Sequence, residues 1–551
     1  MAGRIEGGPS SNPPQIDSTN VESTDATKTA TGAETKQPTN LPADNTTTPL
    51  LNHKDAAGQL SELAFYGLSR AAEFLTGKDI PKLPTSDVLV RNDDQKTPKP
   101  EVEDLQKQLN QWRTANGKTA IKEDGYFGAS TERAVEDFQR GTGLKLDSKA
   151  GVSTQNRLLT ENDADFQKLD PGIKDQVRTA MKDYGQDADK VGNLRDFATT
   201  PGLSDLSASR QQQMLDLQKA NPDDSDLVTR LKDLTKDGFL GGLSSDEFDS
   251  ALNLAGSPQF HAMTDEDTAL VMDGLKAAKG NTAYADNVKS LLEDPKFRAL
   301  DSDEQTAVLS QVKNYPDARS VANIQRMLQK DWFASQDIED KQRSLKVVAY
   351  LSQHDSGDRK VVDNTLNRFL DPASDYKLVW KDYDMTGSHI TYGEGDDTNN
   401  TLYLNRGLLN PDNKKMVEVE ETEHLALSTV PHEVNHIINK DHPANNYKYF
   451  EAEYRAWYVG FKAQFGRAPT NQEAMEQRIT NQLDKDSFYG PYSAEALKKP
   501  EEAKKFYDFM SKMTGQKVTA DNWSEVIKSD PSKWKNPNGP APVPGGNIDN
   551  H

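Results

Sequence analysis

The sequence predicts a mainly α-helical, multidomain protein that has one α+β domain towards its C-terminus. Apolar residues recur at helical spacing over much of the chain between residues 59 and 370. β-branched and aromatic residues alternate around Gly, Asp and Asn turns only after Asp371, which predicts strands there. A chain of 551 residues also corresponds to roughly three or four domains. We therefore expect a compact helical module, a helical repeat-like middle region and a C-terminal α+β domain.

Composition excludes several classes of function. The chain has 66 Lys and Arg against 87 Asp and Glu, which gives a net charge of -21. Phosphate contacts need clustered cations, so we expect no nucleic-acid partner. No apolar run approaches the ~20 residues of a membrane span, so we expect no membrane insertion. Cysteine is absent, which excludes disulfides, thiolate zinc ligands and cysteine nucleophiles.

Both ends of the chain are predicted to be disordered. Residues 1–55 are rich in Ser, Thr, Asn, Pro and Asp, and they cannot bury enough apolar area to offset the entropy of ordering. Residues 536–551 are rich in Pro and Gly and are interpreted in the same way. Residues 56–100 are predicted to form an amphipathic docking helix, whose apolar face lies within 59–75, followed by a linker.

Residues 101–162 are predicted to form a compact module with an internal repeat. Three residue types recur at equal spacing, namely Asp124, Gly128 and Thr131 and then Asp147, Gly151 and Thr154. We expect each Asp and Gly to supply a turn and each Thr to cap the following helix. The run DGYFGASTERAVEDFQ resembles the peptidoglycan-binding type 1 domain, except that Ser148 stands where the second turn usually has Gly. The resemblance implies three helices and a groove for wall glycan or stem peptide; a scaffold that has lost its ligand is the alternative.

Residues 163–370 carry a weak repeat in which an apolar pair precedes a cap-type residue and an amphipathic helix. Successive starts lie 37, 37, 20, 37 and 36 residues apart. The starts are Phe166, Leu203, Leu240, Phe260, Phe297 and Phe333. A period near 37 residues predicts stacked helix pairs, with the 20-residue step as a half repeat. An irregular helical domain is the alternative, and in either case we expect a spacer or an interaction surface.

Residues 371–535 are predicted to form the α+β domain. The stretches KLVWKDYD and SHITYGEGDDTNNTLYLN predict strands, and residues 399–405 are our candidate for an edge strand that pairs with extended substrate backbone. The stretch PHEVNHIINK predicts a helix that Ser428 or Thr429 caps and that has Pro431 in its first turn.

Two histidines of this helix have the spacing of a zinc site. His432 and His436 are four residues apart, so both imidazoles point the same way from a helix and can share one tetrahedral ion. Glu433 is offset by one residue, where it can take a proton from a zinc-bound water rather than bind the metal. This HExxH pattern is a recognised zinc-hydrolase motif. A surface helix with two structural histidines is the alternative.

A catalytic zinc site normally has a third protein ligand, and one candidate is His442. It lies six residues after His436, and the run resembles the metzincin motif with Asn439 where that clan has Gly. Asn tolerates the left-handed turn that the motif requires at this position.

The other candidate is a carboxylate on the next helix. Glu451 and Glu453 flank an apolar stripe at helical spacing, and helix geometry alone does not separate them. A glutamate from a downstream helix resembles the gluzincin arrangement. The EYRAWYVGF context resembles the glutamate-bearing helix of bacterial HExxH peptidase and toxin domains, and on that resemblance we prefer Glu453 as the third ligand.

Together these features predict a zinc metallopeptidase with one catalytic Zn²⁺, which hydrolyses amide bonds through a zinc-activated water. The metal ligands would be His432, His436 and Glu453, and Glu433 would be the catalytic residue. The resemblance of the module at 101–162 implies a bacterial or phage protein that contacts peptidoglycan. The substrate would be either peptidoglycan or a peptide or protein. Two alternatives stay open: a secreted toxin or effector protease that cleaves host or competitor proteins, and a non-enzymatic wall-binding or assembly protein.

Localisation follows from the N-terminus and the wall-binding resemblance. The start MAGRIEGGPSSNPPQ lacks the basic-then-apolar pattern of a secretory signal peptide. We expect a protein that is cytoplasmic before export and is then secreted or delivered without a Sec signal peptide. A specialised secretion system is therefore a candidate partner.

Overall fold

The computed structural model describes residues 83–543, apart from residue 85 and five gaps. The gaps are 355–356, 384–390, 410–418, 442–446 and 480–489. The N-terminal segment, the helix expected at 59–75, His442 and residues 544–551 lie outside the described residues. The chain divides between residues 199 and 200 into two compact units, and the predicted repeat region at 163–370 spans this division.

The described part of the chain is mainly helical, as the sequence predicts. The first unit contains α1 (Pro100–Ala115), α2 (Ala129–Thr142), α3 (Val152–Asn162), α4 (Ala164–Lys168), α5 (Pro171–Tyr184) and α6 (Ala188–Ala198). Within the described residues, no helix combines the length and the apolar composition that crossing a bilayer requires.

Helices α1, α2 and α3 form the three-helix module around one apolar core. Trp112 of α1 meets Phe138 of α2 edge to face, with ring centroids 5.2 Å apart. Leu105, Phe127 and Phe138 are fully or almost fully buried in the same core. Each helix contributes one apolar stripe to this core, such as Leu105, Leu109 and Trp112 on α1, so a segment of this length can form a core of its own.

Two buried glutamines hold the two repeated turns of the module. The Gln106 amide donates to Asp124 Oδ1 at 3.0 Å and to Thr131 Oγ1 at 2.9 Å. Gln139 repeats this arrangement with Asp147 Oδ1 at 2.9 Å and Thr154 at 3.2 Å. The prediction that the threonines cap the helices is therefore wrong. Gly128 and Gly151 occupy the N-cap positions, and the threonine hydroxyls accept hydrogen bonds from the glutamines instead.

Ser148 has the left-handed backbone that the family usually gives to glycine. Its φ is +58°, a conformation that costs a side chain about 1–2 kcal/mol. The Ser148 hydroxyl donates to Glu136 Oε1 at 2.5 Å, which offsets part of that cost. The departure from the family pattern at this position is thus compatible with the same turn.

The second unit continues with a repeated pattern of a short helical turn, a capped helix and a second helix. Its longer helices are α7 (Ala208–Ala220), α8 (Ser225–Thr235), α10 (Ser245–Ala255), α11 (Asp265–Ala277), α12 (Thr282–Glu293), α14 (Ser302–Asn314), α15 (Ala318–Leu328), α17 (Ile338–Gln353) and α18 (Arg359–Leu370). The short helices α9 (Phe239–Gly242), α13 (Pro295–Arg298) and α16 (Asp331–Ala334) hold three of the predicted starts. Leu203 and Phe260 lie on 3₁₀ turns.

The 20-residue step in the sequence corresponds to a unit with one long helix. Ser244 caps α10 with a capping box, but the chain then passes to the turn at Pro258–Ala262 without a second helix. The following full units pack on one another, because α11 contacts α14 and α14 contacts α17. The repeated helices thus lead directly into the last part of the unit, where α17 contacts β1.

Three strands form a small mixed sheet in the order β1-β3-β2, with β1 at Lys377–Lys381, β2 at Gly393–Asp396 and β3 at Thr401–Asn405. β3 is parallel to β1 and antiparallel to β2. The prediction that residues 399–405 form the edge strand is wrong, because β3 is central. Its buried pattern, with only Tyr403 partly exposed, fits a strand that has neighbours on both sides. Among the described strands, β2 is the edge that lies against the histidine-bearing helix.

The histidine-bearing helix α19 runs from Val419 to Asn439 and is longer than predicted. Pro431 lies inside it, so the prediction that Ser428 or Thr429 caps this helix is wrong. Thr429 is fully buried and Ser428 nearly so. Tertiary packing therefore keeps the segment before Pro431 helical, although the proline removes one backbone donor.

The remaining helices close the C-terminal part of this unit. They are α20 (Tyr447–Phe465), α21 (Asn471–Ala474), α22 (Gly490–Leu497), α23 (Pro500–Thr514) and α24 (Trp523–Ile527). The predicted disordered tail is wrong for residues 536–543. Tyr454 of α20 donates to Pro542 O at 3.0 Å, and Ala541 is buried in the aromatic core around α20. This Pro/Gly-rich segment is ordered by the surface on which it packs rather than by secondary structure of its own.

Candidate metal centre

Helices α19 and α20 approach each other closely enough to share one site. A Cβ atom on Gly460 of α20 would lie 2.5 Å from Ser428 O and 3.5 Å from His432 Cβ of α19. A carbon and an oxygen atom that are not bonded to each other do not approach to 2.5 Å, so only glycine at position 460 allows this helix crossing. The close approach brings the side chains of both helices into one buried cluster.

The cluster consists of His432, His436 and Glu453, whose potential ligand atoms all lie within 4.8 Å of one another. The two Nε2 atoms are 3.3 Å apart. Glu453 Oε2 lies 3.8 Å from His432 Nε2, and Glu453 Oε1 lies 3.6 Å from His436 Nε2. Two donors at about 2.0–2.1 Å from a tetrahedral ion are separated by about 3.3–3.4 Å. The two imidazole nitrogens have this separation, and the Glu453 oxygens lie slightly further away, so the donor set could hold one zinc ion after a small movement of the Glu453 side chain.

Glu433 lies beside the cluster without being part of it. Its Oε1 is 3.9 Å from His432 Nε2, and only 1% of the residue is exposed. Burial is the main cause that raises the pKa of Glu433 to about 7; the His436 ring opposes the shift, and the Glu453 carboxylate adds to it. Glu433 accepts a hydrogen bond from the Gly395 backbone N–H, whereas its Oε1 has no hydrogen-bond partner among the described residues.

The edge strand β2 covers this carboxylate through two glycines. A Cβ atom on Gly395 would lie 2.6 Å from Glu433 O, and one on Gly393 would lie 3.0 Å from Glu433 Cγ. Larger residues at these positions would push β2 away from α19. The two glycines of β2 therefore have a packing reason, since they let the strand lie close to α19.

His436 is surrounded by acidic groups. Burial disfavours its cation, but the Glu453 carboxylate and a hydrogen bond with Asp441 raise its pKa to about 9. A metal ion has to displace this proton, so the affinity for the ion rises with pH. Burial by itself would raise the pKa of Asp441. The contacts of its carboxylate with His436 and Arg455 outweigh burial and lower the pKa.

The structure separates the candidates for the third ligand that the sequence left open. Glu453 is 3% exposed and lies in the cluster, whereas Glu451 is partly exposed and outside it. His442 lies outside the described residues. The left-handed residue that the His442 arrangement would place at Asn439 is instead Lys440, with φ +51°, and Asn439 is the last residue of α19. That part of the metzincin prediction is wrong, because the helix continues one residue further.

The sequence did not predict two residues next to the cluster, Asp441 and Arg455. Asp441 contacts His436, and Arg455 contacts both Asp441 and Asn435. The only signal in the sequence was an unusual position: Arg455 is a cation between the aromatic residues Tyr454 and Trp457, two residues after Glu453.

A comparison with known protein families gives a match in the first unit of the protein. Residues 98–158 match the family described as "Putative peptidoglycan binding domain". The match confirms the resemblance proposed for the module at 101–162. Searches of curated proteins and of solved structures found no match to the chain. The resemblance of residues 371–535 to HExxH zincins stays a prediction, which rests on the motif and on the cluster geometry.

The close helix crossing gives a first prediction. Gly460→Ala should lower the free energy of unfolding by about 1–3 kcal/mol through overpacking and should weaken zinc binding, because it forces α19 and α20 apart. Chemical denaturation and titration with a competing chelator would measure the two effects.

Gly192→Ala is the matched control. Gly192 lies inside helix α6 with open space around its Cβ position, so alanine should stabilise that helix by up to about 1 kcal/mol. If Gly460→Ala were as stable as the wild type and bound zinc equally well, the close crossing would not be what forms the site.

Proposed function

We propose that this protein is a zinc-dependent metallopeptidase that is targeted to bacterial peptidoglycan and hydrolyses amide bonds. The observation that carries the proposal is the buried cluster of His432, His436 and Glu453, whose potential ligand atoms all lie within 4.8 Å of one another, with Glu433 beside it. Burying two imidazoles and two carboxylates together is unfavourable unless they bind one another or a cation. A divalent ion would compensate the carboxylate charges, which would explain why these four side chains are buried together.

The residue types favour zinc over other common divalent ions. Two imidazole nitrogens and one carboxylate are the ligands of a catalytic zinc site that keeps its fourth position open. Magnesium and calcium prefer all-oxygen ligand sets. When bound, zinc supplies Lewis-acid polarisation of a carbonyl group and lowers the pKa of a water.

Glu433 has the properties of a general base at neutral pH. Burial raises its pKa to about 7 in the absence of an ion, and a bound cation would lower that pKa, so the carboxylate would be ionised and able to accept a proton at neutral pH. The Gly395 N–H holds the carboxylate against the edge strand. Glu433 can therefore take the proton of an attacking water at Oε1 and deliver it to the leaving amine.

The match at 98–158 supports peptidoglycan as the partner of the first unit. A domain of this family on the same chain would raise the local concentration of wall peptides around the second unit. The amide bonds of stem peptides are then the substrates most available to the site.

Two measurements test the proposed function. Metal analysis of the purified chain should find one zinc, which is lost in His432→Ala. Incubation with purified sacculi and with an unfolded protein, each with and without chelator, should then show chelator-sensitive release from sacculi. Cleavage of the unfolded protein alone would favour an effector protease, and a zinc-free chain that binds sacculi would favour a non-enzymatic wall-binding protein.

Wall binding itself can be separated from the metal site. Phe138→Ala should destabilise the module by about 3–5 kcal/mol, since Phe138 is fully buried. We expect this variant to lose co-sedimentation with sacculi and to keep its zinc. Phe248→Ala, which removes a ring from the core of the second unit, is the matched control and should still co-sediment. Equal retention of both variants would mean that the module does not carry wall binding.

A further inference from the structure

The turn that ends α19 reverses the chain and brings Asp441 next to His436. Lys440 has a left-handed backbone with φ +51°, and the Asp441 N–H donates to His436 O at 3.2 Å. This is the hydrogen bond of a helix C-terminal turn in which the chain reverses direction. As a result, the Asp441 carboxylate lies 3.2 Å from His436 Nδ1, on the side of the ring opposite to the metal cluster.

Arg455 holds the Asp441 carboxylate in place. Its Nη2 donates to both carboxylate oxygens at 2.5 Å, and its Nε donates to Asn435 Oδ1 at 3.2 Å. Arg455 is 6% exposed and Asn435 is fully buried. A rigid guanidinium between two fixed acceptors restricts the carboxylate far more than solvent contacts would.

We propose that Asp441 and Arg455 are positioning residues that orient His436 for metal binding, an assignment that rests on the metal site of the proposed function. Asp441 accepts the Nδ1–H of His436, which selects the tautomer whose Nε2 lone pair faces the cluster. Arg455 fixes Asp441 and acts on the histidine mainly through it.

The pair also links the two helices that supply the ligands. Arg455 follows Glu453 by two residues on α20, whereas Asn435 precedes His436 by one residue on α19. Arg455 therefore connects the glutamate-bearing helix to the helix that carries both histidines.

Loss of a carboxylate that supports a histidine ligand typically weakens metal affinity by about 10- to 100-fold. We expect this loss for Asp441→Asn, which keeps the size of the side chain but removes its charge. Arg455→Gln should weaken affinity to a smaller extent, because Asp441 remains. Arg455→Lys should restore part of that loss. In the Asp441→Asn background, Arg455→Gln should weaken zinc binding less than it does in the wild type, since most of its effect passes through Asp441 and only the hydrogen bond to Asn435 remains to be lost.

The measurement is the zinc dissociation constant of the full chain, obtained by competition with a chromophoric chelator. Wild type, both single variants and the double variant complete the cycle. Asp340→Asn is the matched control, because Asp340 is also a buried carboxylate that accepts two hydrogen bonds from one arginine, Arg406. It should lower the thermal stability of the chain and leave zinc affinity unchanged, which separates positioning from general destabilisation.

The outcomes distinguish the assignment from the function on which it rests. Unchanged zinc affinity in Asp441→Asn, or single-variant losses that multiply in the double variant, would overturn the positioning assignment alone. A wild-type chain that binds no zinc would overturn the metal site and the assignment together.

Discussion

Glu433→Gln is expected to lower amide hydrolysis by about 10²–10⁴-fold, the usual contribution of a general base, while the chain keeps its zinc. The substitution preserves size and leaves an amide oxygen that can still accept from Gly395. It removes the group that can accept a proton. Because Glu433 lies beside the metal cluster rather than in it, occupancy by zinc should not change.

Turnover and zinc content should be measured on the same preparations, with whichever of sacculi or unfolded protein the wild type cleaves. His432→Ala provides the comparison, since it should lose both zinc and activity. If Glu433→Gln cleaved the substrate at the wild-type rate, Glu433 would not be the base. If it lost zinc as His432→Ala does, its role would be that of a ligand.

Glu453→Gln is expected to weaken zinc affinity by more than the ~10–100-fold that supporting residues contribute, because Glu453 is a direct ligand in the proposed metal site. Glu453 is the carboxylate of α20 that meets both histidines, at 3.6 and 3.8 Å. The loss of affinity should abolish hydrolysis at low zinc concentrations.

Glu451→Gln is the control from the same helix. Burial raises the pKa of Glu451, but this carboxyl group lies outside the cluster, so zinc affinity should stay at the wild-type value. Competition with a chelator would measure both variants. A large loss of affinity in Glu451→Gln with none in Glu453→Gln would reverse the ligand assignment.

Local sequence patterns predicted the helices well. Cap residues at Ser244, Thr264 and Asp301 precede α10, α11 and α14 in the structure, because N-capping is decided within four residues. The half repeat after Leu240 was visible as a short spacing. The family resemblance at 101–162 was equally local, since it depends on one run of turn and core residues.

Long-range contacts were what the sequence could not supply. Strand order depends on pairings between distant residues, and the alternation of residues at 399–405 predicts a strand without showing whether it lies at the edge or in the centre of a sheet. Pro431 resembled a helix start because the packing against α20 that keeps the upstream segment helical is not local. Residues 536–543 looked disordered for the same reason, since their partner is Tyr454, far away in the sequence.

The residues of the candidate site also divide into those that local sequence predicts and those that depend on long-range contacts. His432, His436 and Glu433 follow from helical spacing, and Glu453 was preferred over Glu451 only through its sequence context. The structure brings His432, His436 and Glu453 together and places Glu433 beside them. Asp441 and Arg455 escaped prediction, because their role depends on a turn at Lys440 and on the distance between two helices.

Diffraction from crystals of the zinc-loaded chain, recorded on both sides of the zinc absorption edge, tests the central claim most directly. We predict one anomalous peak within about 2.0–2.2 Å of His432 Nε2, His436 Nε2 and a carboxylate oxygen of Glu453. A map with no peak between these three side chains, or with the two imidazoles turned away from each other, would contradict the account.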